Sequence, residues 1–324
     1  MKEPPSPNSA FADLNRPQLS IQPALNRGIV IALWVPTQTG GELDRPLLKQ
    51  HLSWLKSKGV DGILALGTTG EFPRMNLAQR ERVLAQTIEL ATPLPVIANI
   101  SAISLEEVVS LGRAARQMGA AGAAILPPWF FPLPQDDMLE FFLRAAESVE
   151  LPFYLYNFPE MTGNRIGTKV ICDFAQRAPL AGFKQSGGEL GYHTELIALG
   201  RQFGFGVFTG ADPQLAQLLA DGVAGCVSGY GNFVPEYLVS VFAAHRAGRP
   251  QDAAEAAARL RRVGEIASAL PVPLNVRSGV EARGINPGNW KTVHAASTMR
   301  SYQAGVAAFQ ESFDAWGLPP FQAG

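Results

Sequence analysis

The residue whose setting most suggests chemistry is Lys184. It lies in the apolar run Ala181–Ser186 and is the only lysine placed inside a strand-like run. Lysines are almost never fully buried unless they are paired. Withdrawal from water disfavours the charged form of an amine, and a neutral amine is a nucleophile that forms a Schiff base with a ketone. The plainer reading is a lysine that carries its ammonium to the strand end for a structural ion pair. Other strand-like runs end in groups that such chemistry needs. One ends in Tyr154-Leu-Tyr156-Asn157-Phe158-Pro159. Tyr156 can carry a proton if its phenol meets another hydroxyl; otherwise it is a core aromatic with a satisfied hydroxyl. A second ends in Gly67-Thr68-Thr69-Gly70-Glu71. Its glycines permit a tight turn whose amides can face an anion, and Thr68 and Thr69 add hydroxyl donors. The motif holds no cation, which suits a small carboxylate better than a triphosphate. Two more runs end in Thr209-Gly210-Ala211-Asp212 and Val227-Ser228-Gly229-Tyr230-Gly231-Asn232. Small residues there open space beside Lys184. Asp212 and Ser228 offer polar groups to substrate hydroxyls, although Asp212 is equally suited to capping a helix.

These residues need a scaffold that collects strand ends. Eight short apolar runs qualify as strands: Gly28–Pro36, Asp61–Gly67, Pro95–Ile100, Gly122–Pro127, Pro152–Phe158, Ala181–Ser186, Gly206–Gly210 and Gly225–Gly229. They are near-continuously apolar, as parallel strands covered on both faces are. Helical patterns alternate with them, at Asp44–Lys58, Asn76–Leu90, Ser104–Met118, Gln135–Val149, Thr168–Gln176, Glu189–Arg201, Asp212–Ala220 and Pro235–Arg246. Ser104 and Glu107 have capping-box spacing, and Asp44 and Asp212 read as N-caps. This alternation matches an α/β fold of the (β/α)8 TIM-barrel type over residues 28–248 better than an open doubly wound sheet. The glycine-rich dinucleotide signature is missing after the first strand. Residues 249–324 read as appended helices packed on the barrel, and residues 1–27 as an arm rich in Pro, Ser and Asn. In such a barrel the chemistry lies at the C-terminal ends of the strands.

Composition narrows the class further. A chain of 324 residues with 47% hydrophobic and 17% charged residues can bury a large core without disulfides or metal. Its formal charge of −1 excludes a strongly basic nucleic-acid binder. No run is long and apolar enough for a membrane span, and the first residues lack the charged start and apolar run of a secretory signal, so cytoplasmic residence is expected. Cys172 and Cys226 stand in no CxxC or Cys/His cluster, and the four histidines are scattered, so no zinc site of ordinary spacing is present.

Taken together and in this order, GTTGE, Tyr-Asn-x-Pro, Gly-Phe-Lys, Gly-x-Asp and Ser-Gly-x-x-Asn resemble the dihydrodipicolinate synthase/N-acetylneuraminate lyase superfamily over roughly residues 28–309. The resemblance implies a TIM barrel with C-terminal helices, no metal or organic cofactor, and Schiff-base chemistry on pyruvate or another 2-keto acid. It also implies a homotetramer built as a dimer of dimers. By the same resemblance Lys184 is the imine-forming lysine and Tyr156 the proton shuttle. Thr68 and Thr69 hold the keto-acid carboxylate, and Gly210 and Val227 line the pyruvate site with backbone.

The departures bear on the subfamily. Synthases of the family carry an arginine after Tyr-Asn-x-Pro, where Met161 stands here. They also use a second tyrosine lent across a dimer interface, whose best match here is Phe130. Phenylalanine relays no proton. Both losses argue against synthase activity, although Arg165 could partly restore the charge. Tyr-Asn-Phe-Pro-x-x-Thr-Gly looks like the 2-keto-3-deoxy-sugar-acid aldolases. Lys184-Gln185-Ser186 looks like the Lys-Gln-Thr of N-acetylneuraminate lyases, in which the hydroxyl binds substrate. Pro213, where those lyases have an acidic residue, favours a shorter sugar acid. Trp129, Phe130 and Phe131 would make the distal wall apolar. The expected activity is therefore a pyruvate-dependent carbon–carbon lyase acting on a small-molecule 2-keto acid and aldehyde. A keto-deoxy-acid dehydratase using the same imine, and a non-catalytic keto-acid-, phosphate- or flavin-binding barrel, are the alternatives.

Overall fold

In the computed structural model, which describes residues 25–321, eight parallel strands close on themselves in chain order. They are β1 (Gly28–Ala32), β2 (Gly62–Ala65), β3 (Val96–Asn99), β4 (Gly122–Ile125), β5 (Phe153–Asn157), β6 (Leu180–Gln185), β7 (Gly206–Thr209) and β8 (Gly225–Ser228). Each pairs with the next and β8 pairs with β1, so the sheet has no free edge. The helices outside are α1 (Arg45–Ser57), α2 (Leu77–Ala91), α3 (Leu105–Met118), α4 (Gln135–Val149), the single turn α5 (Pro159–Thr162), α6 (Thr168–Arg177), α7 (Tyr192–Phe203), α8 (Leu215–Asp221) and α9 (Pro235–Arg246). Three further helices follow: α10 (Ala254–Ala267), α11 (Leu274–Ala282) and α12 (Ala296–Ala315). The expected (β/α)8 barrel with appended helices is the observed fold. No helix among the described residues is long and apolar enough to cross a membrane.

Local chemistry explains where the elements begin. Asp44 caps α1 by accepting from the Leu47 amide, and the helix then buries Leu48, Leu52 and Leu55 against the sheet. Ser104 caps α3 by accepting from the Glu107 amide, but the return bond from Glu107 is not made. The reciprocal box forms instead at Asn76 and Gln79, ahead of α2. Asp212 caps nothing. The helix expected over Asp212–Ala220 starts with a 3-10 turn at Asp212–Gln214 and becomes α-helical only at Leu215.

Inside the barrel Val30, Ala32, Leu64, Ile97, Ala124, Tyr154, Phe208 and Val227 pack together as one buried cluster. Tyr154 fits because its neighbours on both sides are glycines. A Cβ on Gly122 or Gly182 would come within 2.6 Å of its ring. Its hydroxyl donates to the Leu25 carbonyl, 2.9 Å away, which closes the N-terminal end of the barrel. Residue 25 therefore belongs with the barrel, while residues 1–24 of the expected arm lie outside the described residues. The C-terminal helices join the barrel through aromatic packing of Phe233 on Phe309, at 5.3 Å between centroids, and through Arg283. That guanidinium is fully buried, donating to the Phe233 carbonyl and pairing with Glu236.

Candidate active site at the mouth of the barrel

Side chains alternate across a strand, so residues two apart share a face. Tyr154 fills the interior, and Tyr156 therefore follows it inward, one step nearer the C-terminal end of β5. In the ladder Tyr156 stands opposite Lys184, which stands opposite Phe208 of β7. The Lys184 amine lies 4.1 Å from the centroid of the Tyr156 ring. The Tyr156 hydroxyl is 3.1 Å from Oγ1 of Thr68. Both Tyr156 and Lys184 are buried, at 2% and 8% exposure, so the amine and the phenol face each other out of bulk water. An amine, a phenol and an alcohol in line are the parts of a nucleophile with a proton relay beside it.

The two strand ends are held by the residues that follow the reactive pair. Asn157 donates to Oε1 of Gln185 at 2.8 Å and accepts from the Ile166 amide at 3.0 Å. Both side chains are fully buried. This bond fastens β5 to β6 one residue beyond Tyr156 and Lys184.

The Gly67–Glu71 segment forms the tight turn expected of it. Thr68–Gly70 make a 3-10 turn in which the Gly70 amide donates to Gly67 and the Glu71 amide to Thr68. The amides of Thr68 and Thr69 have no hydrogen-bond partner among the described residues. The turn is bracketed by two non-glycine residues in the left-handed region, Leu66 at φ 58° and Glu71 at φ 63°. Asn99 at the end of β3 donates to the Leu66 carbonyl at 2.7 Å. Gly229 leaves room above Thr69, since a Cβ there would lie 3.3 Å from its Oγ1.

The ends of β7 and β8 complete the mouth, with some changes of role. Gly210 is required by close approach, because a Cβ there would lie 2.4 Å from Oγ of Ser186. Val227 belongs to the buried cluster inside the barrel. Ser228 and Asp212 do not turn outward to substrate hydroxyls. Ser228 is fully buried and donates to Oδ2 of Asp212 at 2.6 Å, while the Tyr230 amide donates to the same oxygen at 3.1 Å. The other carboxylate oxygen of Asp212 is buried without a hydrogen-bond partner among the described residues. Burial lifts this carboxyl to about 6, against the pull of Ser228, Tyr230 and the charge of Lys184. Asn232 stitches the turn after β8 to β1. It accepts from the Trp34 amide and His51 and donates to the Ala32 carbonyl.

The residues expected to form a distal wall are placed differently. Phe130 is 81% exposed at φ 84°, Phe131 is 70% exposed, and the two rings pack on each other. Phe130 therefore does not reach the Lys184 site of its own chain. Only Trp129 turns inward, onto Phe72. Met161 is half exposed, and Arg165 does not take its place. The Arg165 guanidinium makes a two-pronged bond to Glu189 and lies 3.8 Å over the Tyr192 ring. Sequence reasoning missed Asn99 and Lys291. Asn99 carried a readable signal, a polar residue closing an apolar strand. Lys291 carried none, being a lysine in a loop remote from the barrel motifs.

The model of the dihydrodipicolinate synthetase family matches residues 25–304. The chain is 30% identical over 265 residues to an uncharacterized DapA-like lyase of Halobacterium salinarum, covering 81% of this chain and 86% of that one. It is 31% identical over 212 residues to YjhH of Escherichia coli, a probable 2-dehydro-3-deoxy-D-pentonate aldolase, covering 64% of this chain and 70% of that one. It superposes with a TM-score of 0.83 on YagE, an Escherichia coli prophage protein of the dihydrodipicolinic acid synthase family crystallised with pyruvate. There the identity is 25%, and the match covers 89% of this chain and 99% of that one. A barrel of this topology, matched over nearly its whole length, leaves one conclusion: the chain belongs to the dihydrodipicolinate synthetase family, a family of lyases.

Proposed function

We propose that this lyase makes or breaks the carbon–carbon bond between pyruvate and an aldehyde, acting on a 2-keto-3-deoxy sugar acid or a similar 2-keto acid. The observation that carries the reading is the line of buried Lys184 and Tyr156 with half-buried Thr68. Pyruvate in the related YagE structure and the aldolase name of YjhH support it. The substrate carboxylate takes the open amides and hydroxyls of Thr68 and Thr69. The Lys184 amine attacks C2, and the ketone oxygen leaves as water after Tyr156 delivers a proton. The resulting iminium is an electron sink. When the C4 hydroxyl gives its proton to the Tyr156 oxygen, the C3–C4 electrons move into the iminium and an aldehyde departs. The enamine left behind takes a proton at C3, and water releases pyruvate from Lys184. No step draws on a metal or an organic cofactor.

The synthase alternative is disfavoured by three placements. Phe130 has no hydroxyl, Met161 no charge, and Arg165 is held by Glu189. Exposed apolar residues stand on four successive loops of the mouth: Ile103 after β3, Phe130 and Phe131 after β4, Met161 after β5 and Leu190 after β6. This rim supports assembly with further copies of the chain, as the tetramer of the resemblance requires. The test is reduction with borohydride in the presence of pyruvate, read by intact mass. A reduced pyruvyl adduct on the wild type and none on Lys184→Ala is the expected result. A folded wild type without an adduct refutes the reading. Keto-deoxy acids are then offered to the trapping enzyme. Release of pyruvate identifies the aldolase, and loss of water alone identifies the dehydratase.

A further inference from the structure

The turn that carries Thr68 and Thr69 is not self-supporting. Residues in the left-handed region without being glycine are disfavoured, and Leu66 and Glu71 bracket the turn in that region. Leu66 is held by Asn99 from the neighbouring strand. Glu71 is held from outside the barrel. Its carboxylate, only 7% exposed, accepts from the Lys291 ammonium at 3.1 Å and pairs with Arg74. Lys291 is equally buried, at 6%, and also donates to the Val35 carbonyl at 2.7 Å. Its charge lies 4.7 Å from the centroid of Trp34.

Lys291 comes from the connection between α11 and α12, and that connection is strapped along the loop after β1. Trp34 Nε1 donates to the Pro287 carbonyl at 3.1 Å, and the Asn289 amide donates to the Thr37 carbonyl at 2.7 Å. Arg277 of α11 clamps the strap from behind by donating to the carbonyls of Pro287, Gly288 and Asn289. Gly288 fits flush against this loop, because a Cβ there would lie 2.5 Å from the Thr37 amide nitrogen. The strap therefore carries a fixed ammonium to a position two residues beyond Thr69.

We propose that Lys291 is a positioning residue for the keto-acid carboxylate. It locks Glu71, and with it the Thr68–Thr69 turn, and it keeps the charge around Glu71 positive toward the incoming anion. The inference rests on the function proposed above, with the carboxylate on Thr68 and Thr69. It makes the appended helical segment part of the substrate site. The cluster of Glu71, Lys291 and Arg74 holds one carboxylate against two cations, so its net charge toward the ligand is positive. Removing Lys291 brings the cluster to neutrality and leaves Glu71 with one partner. Removing the charge of Glu71 makes the cluster more positive. Removing both restores the original sum.

Borohydride trapping of pyruvate on the intact protein tests this, read as the pyruvate concentration that gives half-maximal adduct. Lys291→Gln should raise that concentration by about tenfold or more, while trapping at saturating pyruvate stays near wild type, because Lys184 and Tyr156 are untouched. Glu71→Gln should lower it several-fold, and Lys291→Gln/Glu71→Gln should return it close to wild type. A purely structural role predicts instead that both single variants loosen the turn alike. Equal increases in Lys291→Gln and Glu71→Gln, or no increase in Lys291→Gln, overturn the proposal. Should Lys291→Gln fail to fold, the double variant, which buries no unpaired charge, is compared with Glu71→Gln. Equal half-saturation in those two also overturns it. A wild type that traps no pyruvate defeats the proposed function and this inference with it. A trapping wild type with an indifferent Lys291 defeats this inference alone.

Discussion

Replacing Asp212 by Asn should stabilise the protein near neutral pH relative to acid, and the size of that change follows from the surroundings of the carboxyl. Asp212 is fully enclosed, and burial raises it from 3.8 to about 6. A shift of about two units corresponds to about 3 kcal/mol. The sign follows from proton counting. The folded state holds this proton up to about pH 6, whereas the unfolded chain releases it near 3.8. The wild type therefore loses stability from this group as pH rises through that window. Asn has no proton to lose. The stability of Asp212→Asn minus that of the wild type should grow by about 2–3 kcal/mol between pH 4 and pH 7.5. At roughly 2 cal/mol/K of unfolding entropy per residue, a 324-residue chain shifts about 1.5 °C per kcal/mol, so the gap should widen by about 3–4 °C. The absolute offset is smaller, because the new amide places an N–H2 where Asp212 has an unpartnered oxygen, at a cost of about 1–3 kcal/mol. Thermal unfolding of both proteins at the two pH values measures the difference, and any other group titrating in both cancels. An offset that does not change with pH refutes the reasoning. The same variant should turn over more slowly, since it removes the negative charge that faces Lys184 and would steady a cationic imine.

Other expectations concern the scaffold of the site. His51 is buried against Asn232, and burial lowers it from 6.5 to about 4. Its contribution runs opposite to that of Asp212: stability is complete above pH 6.5 and falls by about 3 kcal/mol as pH drops toward 4. His51→Gln should therefore lose less stability than wild type between pH 7.5 and 4.5, measured by urea unfolding. Gln185→Ala leaves the buried Asn157 amide without its acceptor and loosens the strand ends beside Tyr156 and Lys184. It should cost about 1–3 kcal/mol and lower kcat more than it raises KM, and a change in KM alone would contradict the clamp. Gly182→Ala drives a Cβ to 2.6 Å from the Tyr154 ring and should cost about 1–3 kcal/mol by overpacking, which a neutral melting curve would disprove.

What the sequence made legible was whatever local physics settles. The apolar runs became strands because burial on both faces of a closed parallel sheet leaves few polar positions, so a lysine at 184 stood out. The helix over Gln135–Val149 has those bounds in the fold as well. Errors came where tertiary partners override local signals. Leu33–Val35 continue the apolar run of β1 and are buried, yet they lie outside the ladder and Trp34 and Val35 meet the C-terminal strap. Asp212 has the type and place of a cap but is claimed by Ser228 and Tyr230, residues whose approach depends on barrel closure. Asn76 and Gln79 make the box that Ser104 and Glu107 only half complete, although the spacing is the same in both. Lys291 was beyond reach, since nothing local distinguishes it from a solvated lysine until the strap folds back onto Trp34.

The two ends of the barrel show why such overrides gather at one place. At the N-terminal end Tyr154 donates to Leu25, and glycines give its ring the space it needs. At the C-terminal end local rules are broken repeatedly. Leu66 and Glu71 hold left-handed backbone, an ion pair between Glu71 and Lys291 is buried, Asp212 keeps a bare carboxylate oxygen, and Lys184 faces a phenol rather than water. The left-handed backbone and the bare oxygen lower stability when taken alone, and natural sequences tolerate such violations mainly where function needs them. Together they place fixed charges and open donors around one small volume before any ligand arrives. On the function proposed above, water would have to reorganise around a developing iminium, whereas these groups are already oriented, and preorganisation of that kind is the larger part of electrostatic catalysis. On that proposed function the destabilising features at this mouth are also the catalytic ones, so a variant that relieves one of them, such as Asp212→Asn, should gain stability at the expense of turnover.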